Sequence, residues 1–249
     1  GLWQERDRYA TGDSDKSTNN TPVPILPECS RNTILMQKHK PKRIGIIGGS
    51  YNPVHIAHLI IADRFAEQMK LDQVFLIPAY RSPFKLEEEG TEIAAAEHRI
   101  AMLSLAVEYY PQFEISTIET EREGVSYTVD TGRYFREQYP DAELFMLIGS
   151  DQATAFTRWK DWPEIIRQVH LCIARRPHTI SPEVEHVLSF TLSNEKGEPH
   201  WIDAPLMAFS STDIRNRVES GRSIKFVVPW KVEQYIYENK LYVREKRKK

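Results

Sequence analysis

GGSYNPVHIAH, running from Gly48 to His58, stands between the β-branched run Arg43–Ile47 (RIGII) and an amphipathic stretch over about Val54–Met69. A short apolar run, paired glycines and then apolar residues at helical spacing read as strand, tight turn and helix. Gly48, Gly49 and Ser50 come directly after the strand, where glycine allows a tight turn and lets backbone N–H groups approach an anion closely. Pro53 suits the first helical position, because its missing N–H costs nothing there. Ile56, Leu59, Ile60 and Phe65 supply the helix's apolar face. His55 and His58, three residues apart, then project from neighbouring points of one face, toward whatever the glycine turn binds. Taken alone, such a pair reads as one surface histidine and one satisfied hydrogen-bond partner; its place after a strand and Gly-Gly-Ser favours an anion site. The GxGxxG fingerprint of dinucleotide binding and the GKS or GKT ending of a P-loop are both missing from this turn, which argues against a kinase-like cradle.

Outward from this segment, short apolar runs alternate with longer amphipathic ones. That is the pattern of a parallel sheet with crossover helices. Gln73–Ile77 reads as a second strand, Ala94–Tyr109 as a helix with Ile100, Leu103 and Val107 at helical spacing, Phe113–Ile118 as a half-buried strand and Tyr127–Tyr139 as a helix. Leu144–Ile148, ending at Gly149, and His170–Ala174 complete five strands, and helices are expected near Ser211–Glu219 and Val232–Asn239. The fold class is therefore α/β: a Rossmann-like open parallel sheet of about five or six strands flanked by helices. In such sheets ligands bind beyond the carboxyl ends of the strands, where strand order reverses.

The bulk composition sets limits. The 249 residues suit one large domain or a domain with an appendage. Thirty-three basic against 35 acidic side chains give a net charge of −2, without the positive field of a general nucleic-acid binder, so any anion site is local. No apolar run approaches the roughly 18 residues of a membrane span. Cys29 and Cys172 lie far apart and have no zinc or redox spacing, which fits two unpaired thiols in a reducing compartment; a cytoplasmic protein is expected. The opening GLWQERDRYA lacks the apolar stretch of a secretory signal. Residues 1–41, rich in Ser, Thr, Asn, Asp and Pro, read as a poorly ordered extension, 42–243 as the folded domain, and 244–249 (REKRKK) as a basic, solvated tail.

Over Lys42 to Tyr242 the chain resembles the nicotinate mononucleotide adenylyltransferases of the HxGH nucleotidyltransferase superfamily. Besides GGSYNPVHIAH, the resemblance rests on LIPAYRSPFK (Leu76–Lys85), REGVSYTVDT (Arg122–Thr131), LIGSDQATAFTRWKDW (Leu147–Trp162) and FSSTDIR (Phe209–Arg215). It implies that Gly48, Gly49 and Ser50 line the phosphates of ATP and that His55 and His58 contact them, His58 mattering more in the transition state. Ser210, Ser211 and Thr212 would open a helix whose N–H groups face the same phosphates, with Arg215 gripping them; read alone, this is a plain capped helix. Gly149 and Asp151 would sit beside ATP, Asp151 accepting ribose hydroxyls or capping the next helix. Lys85 would meet a substrate phosphate, although an isolated lysine is more often a solvated charge. Tyr127 and Thr128 would offer backbone amides to a nicotinate carboxylate, and Trp159 would stack on the pyridine; Trp159 and Trp162 also read as packing aromatics.

The implied reaction is in-line attack of nicotinate mononucleotide on the α-phosphorus of ATP, releasing pyrophosphate. Mg²⁺ would be held by phosphates and water rather than by protein side chains. ATP and nicotinate mononucleotide are the implied partners, with no nucleic acid and no membrane; a homo-oligomer is left open. The rivals are adenylyl transfer to nicotinamide mononucleotide or phosphopantetheine, and a catalytically silent nucleotide-binding module. Two positions depart from the pattern GGxFDPxHxGH of many bacterial members: Asn52 for Asp, which reads as harmless, and Ala57 for Gly, whose methyl is expected to crowd the nucleotide.

Overall fold

A computed structural model describes residues 42–243 except 82, 84–92, 176–180, 195 and 206. Lys85, Cys29 and both terminal segments named above lie outside the described residues. Six strands form one sheet: β1 (Arg43–Gly49), β2 (Gln73–Pro78), β3 (Phe113–Ile115), β4 (Glu143–Gly149), β5 (His170–Arg175) and β6 (His200–Asp203). Their order is β3-β2-β1-β4-β5-β6, and every neighbouring pair is parallel. The chain winds outward from β1 in one direction and from β4 in the other, so strand order reverses between these two. β1 and β4 pair side by side, Ile47 opposite Leu147, and their carboxyl ends open the crevice that the doubly wound topology reserves for a ligand.

The continuous apolar character of the central strands follows from burial on both faces. In β1, Ile44 and Ile46 enter one core with Phe75, Ile77, Leu144, Met146, Ile148, Leu171 and Ile173. The alternate residues Val74, Leu76, Phe145, Leu147, Cys172 and Ala174 enter the other. The second core is closed by α1 (Ile56–Gln68), α2 (Ala96–Val107), α8 (Ser211–Glu219) and α9 (Trp230–Glu238). The first is closed by α4 (Thr128–Gln138), α6 (Trp162–Gln168) and α7 (Pro182–Thr191). Gly45 explains how α1 comes so close to β1: a Cβ there would stand 2.6 Å from Leu71 Cδ1 and 2.7 Å from Phe65 Cε1. Cys172 is buried without a disulfide partner, and burial pushes its thiol pKa up. No helix among the described residues is long and apolar enough to cross a membrane.

Several elements differ from the sequence expectations. β1 runs two residues further, through Gly49. β3 ends at Ile115, and Ile118 opens a short helix, α3 (Ile118–Arg122), instead of closing a strand. β6 and α7 had no counterpart in the sequence reading. β6 has four residues, of which Ile202 alone is buried, too little for periodicity to register. α7 does carry a readable start: Ser181 accepts from the Val184 N–H at 3.4 Å, with Pro182 in the first turn. Pro53 is not the first helical residue. It follows a cis peptide bond from Asn52, and α1 begins three residues later, after His55 as N-cap.

Candidate active site

The crevice is a cavity of about 590 Å³, within the size range of small-molecule sites. Gly48, Gly49, Ser50, His58 and Ser211 line one end, and Tyr127, Thr128 and Trp159 the other, with Gly149 and Asp151 also on its walls.

At the first end the two glycines do not take left-handed backbone; Tyr51 does, with φ 47°. That conformation costs a non-glycine residue roughly 1–2 kcal/mol, and here burial holds it in place. The Tyr51 ring is 2% exposed, its hydroxyl donates to the Ile47 carbonyl at 2.9 Å, and a Cβ on Gly49 would touch the ring at 3.0 Å. Gly48 has open space where a Cβ would sit, so the strand edge there presents bare backbone to the cavity.

His55 and His58 meet, but not as two equal faces toward a ligand. His58 lines the cavity, while His55 is 6% exposed and does not. Their rings stack, centroids 3.7 Å apart and 18° from coplanar. The edge of Tyr51 meets His58 at 5.1 Å, and Phe209 meets His55 at 5.5 Å. His58 Nδ1 accepts the His55 backbone N–H at 3.2 Å, so a neutral His58 ring carries its proton on Nε2. The third position of a helix thereby satisfies the N-cap amide, as a glutamate does in a capping box.

The start of α8 is bonded to the turn before α1. Ser210 Oγ caps α8 by accepting the Asp213 N–H at 3.2 Å, and Ser211 Oγ donates to the Pro53 carbonyl at 2.9 Å. Arg215 donates to the Asn52 carbonyl at 2.8 Å and to Thr212 Oγ1 at 3.1 Å, bracing the loop; Arg215, Ser210 and Thr212 are not among the residues that line the cavity, and Ser210 and Thr212 are exposed. Asn52 is more than a neutral replacement, since its Oδ1 accepts both the Ala94 N–H at 3.1 Å and the Tyr242 hydroxyl at 2.9 Å. Ala57 is 6% exposed and is not among the residues that line the cavity.

At the other end Tyr127 is the N-cap of α4 and Thr128 its first residue, which leaves first-turn N–H groups without intrahelical acceptors. Ser126 ties this loop to the segment after β2: its N–H donates to the Arg81 carbonyl at 2.9 Å, and its Oγ accepts the Tyr80 N–H at 3.0 Å. Trp159 packs on Phe156, centroids 5.0 Å apart, while still lining the cavity; Trp162 meets the same Phe156 edge-on at 6.4 Å. Lys160 Nζ lies 4.4 Å from the Tyr127 ring centroid.

Sequence reasoning missed Glu119, Ser126, Thr131, Arg158 and Lys160, all on the cavity wall. Glu119 is 6% exposed and accepts the Thr131 hydroxyl at 2.6 Å. Ser126 and Thr131 belong to the quoted SYTVDT run, so only their roles were missed. Glu119 had no signal of its own: it lies on α3, of which the expected strand Phe113–Ile118 reached only Ile118.

Residues 46–217 match the family model described as cytidylyltransferase-like. A relative from Enterococcus faecalis is 37% identical over 82% of this chain and 86% of its own length, and one from Salinibacter ruber is 38% identical over 80% and 97%. Both are described as probable nicotinate-nucleotide adenylyltransferases. Among solved structures, a nicotinic acid mononucleotide adenylyltransferase of Plasmodium falciparum, complexed with NaAD, superposes with a TM-score of 0.66 at 18% identity, over 81% of this chain and 97% of that one; this likeness concerns the fold. By the family model and by these relatives, the chain belongs to the nicotinate-nucleotide adenylyltransferase family within the cytidylyltransferase-like proteins.

Proposed function

We infer that this chain transfers the AMP moiety of ATP to nicotinate mononucleotide, giving nicotinate adenine dinucleotide and pyrophosphate, a step of NAD biosynthesis. The carrying observation is one continuous cavity at the strand-order reversal, with bare glycine backbone and His58 at one end and a helix N-terminus beside Trp159 at the other. The first end suits a triphosphate and the second a flat, anionic ring. Reaction at the α-phosphorus joins them without a covalent enzyme intermediate, and its barrier is lowered by positioning and by neutralising charge.

In this reading Gly48, Gly49 and Ser50 offer backbone to the phosphates. His58 donates its Nε2 proton to a phosphate oxygen as charge develops, and His55 holds that ring by stacking and through its own N–H. Arg215 exchanges the neutral Asn52 carbonyl for a phosphate when ATP arrives, a stronger partner for a guanidinium; Ser210, Ser211 and Thr212 set the helix start that presents it. Gly149 and Asp151 border the nucleoside, and Tyr127, Thr128 and Trp159 receive the nicotinate. Lys85 is proposed to meet a substrate phosphate. ATP enters as its Mg²⁺ complex. Among the described residues no group of three or more His, Cys, Asp or Glu side chains is placed to hold a metal, and a metal that keeps phosphate and water ligands needs no such cage. The catalytic domain is proposed to span 42–243.

The test is pyrophosphate release from ATP and Mg²⁺ with nicotinate mononucleotide, its amide, or phosphopantetheine as acceptor. The acid is expected to exceed the amide at least tenfold in kcat/KM. Equal rates with acid and amide would remove the substrate assignment, and no release with any acceptor would favour the silent module.

A further inference from the structure

Arg99 is a charged residue that the mechanism above does not use. It lies in α2, among residues at helical spacing that enter the core, yet it is only 2% exposed. Its guanidinium donates to three main-chain carbonyls: Nε to Ala94 at 3.0 Å, and Nη1 to Ser50 at 2.9 Å and to Ala79 at 2.7 Å. These belong to three separate pieces of chain: the turn after β1, the first residue after β2, and the approach to α2. Among the described residues no Asp or Glu side chain forms an ion pair with it. Burial pulls its pKa below the ordinary guanidinium value, against the opposing effects of Tyr242 and Glu97. A guanidinium remains charged even so.

A buried charge whose hydrogen bonds all go to neutral carbonyls is costly, because carbonyl dipoles replace water incompletely. Such an arrangement becomes favourable when an anion lies close by. The Ser50 carbonyl supplies the direction. In a trans peptide, C=O and N–H point opposite ways, so anchoring the Ser50 oxygen inward on Arg99 turns the Tyr51 N–H away from it, on a peptide whose two residues both line the cavity.

We propose that Arg99 is a positioning residue for the ATP phosphates, locking the Ser50–Tyr51 peptide so that its amide faces them and placing a buried positive charge behind the turn. It touches no substrate. Its charge is compensated when the triphosphate binds, and its fork keeps the turn after β1 in register with the chain after β2. This rests on the reading that the Gly48–Ser50 turn receives ATP, which binding of MgATP to the unmodified protein tests separately.

The test uses the full chain with Arg99→Lys and Arg99→Met, measuring KM for ATP and for the mononucleotide alongside the thermal midpoint. In Arg99→Met the KM for ATP is expected to rise about tenfold, corresponding to roughly 1.4 kcal/mol, while the KM for the mononucleotide changes less than twofold. Arg99→Lys, which keeps the charge and loses the fork, is expected to recover part of the ATP effect. A lowered midpoint with both KM values unchanged, or both raised alike, would show a scaffold residue only and overturn the proposal. If the variants fail to fold, the unmodified protein decides: the buried Arg99 Nε–H resonance is expected to shift on saturation with MgATP and to stay in place with the mononucleotide alone. An unmoved resonance with MgATP overturns the proposal equally.

Discussion

The two ends of the cavity are held by different means. At the phosphate end side chains clamp the main chain: the carbonyls of Ile47, Ser50, Asn52 and Pro53 accept from Tyr51, Arg99, Arg215 and Ser211 in turn. The Ile56 N–H adds a bond to the Val227 carbonyl at 3.0 Å. At the other end Ser126 ties the start of α4 to the chain after β2, but the side chains of Trp159 and Lys160, between α5 (Ser150–Ala153) and α6, pack through ring contacts with Phe156 and Tyr127. A rigid end suits the place where charge develops, since preorganised dipoles need not reorganise during reaction. A stacking end suits recognition, because a ring face accepts a flat ligand at little ordering cost. Substitutions at the first end should therefore act on kcat or on the KM for ATP, and at the second on the KM for the mononucleotide.

The largest effect is expected from His58→Ala. Loss of a positioned proton donor is worth about 10²–10⁴ in rate; because the same change removes the acceptor of the buried His55 N–H, the thermal midpoint is measured beside it. Dinucleotide formation under saturating substrates should fall by that factor while the KM for the mononucleotide stays within about threefold. A loss confined to the KM for the mononucleotide would reverse the division between the two ends.

That division was only partly legible in the sequence. β1, its glycine turn and α8 could be read because their signals are local: a β-branched run, Gly-Gly, and Ser210 with helical spacing behind it. The buried strand faces followed from continuous apolar runs. What holds the turn was not legible, because its bonds join residues far apart: Arg99 to Ala79 spans 20 positions, Arg99 to Ser50 spans 49 and Arg215 to Asn52 spans 163. An arginine within an amphipathic helix reads as a solvated charge until tertiary contacts bury it. The left-handed residue was not legible either. Local chemistry assigns positive φ to glycine, whereas the structure places it on Tyr51, whose buried ring compensates the strain.

A smaller effect, of the other kind, is expected from Trp159→Ala. Stacking of an aromatic side chain on a heterocycle is worth about 1–3 kcal/mol, so the KM for nicotinate mononucleotide should rise roughly 5- to 150-fold, with the KM for ATP and kcat within about threefold. Initial rates across a two-substrate matrix separate the terms. Because Trp159 also packs on Phe156, the thermal midpoint belongs beside them. A kcat collapse with an intact fold would mean that the stacking end also organises the reacting phosphates.

Tyr242→Phe should have the smallest effect and tests how redundant the clamp is. Burial pushes the Tyr242 phenol pKa up, so across neutral pH the group stays protonated and donates to Asn52 Oδ1. Removing it deletes one hydrogen bond, typically about 0.5–1.5 kcal/mol. Asn52 Oδ1 still accepts the Ala94 N–H, and the Asn52 carbonyl still accepts Arg215, so no buried acceptor is stranded and the low end applies. A fall of about 1–4 °C in thermal midpoint follows for a domain of this size, with the KM for ATP changing less than twofold. If the KM for ATP instead rose tenfold, the turn would depend on Tyr242 as much as on Arg99 and Arg215. The phosphate end would then be a chain of dependent links rather than a set of parallel ones.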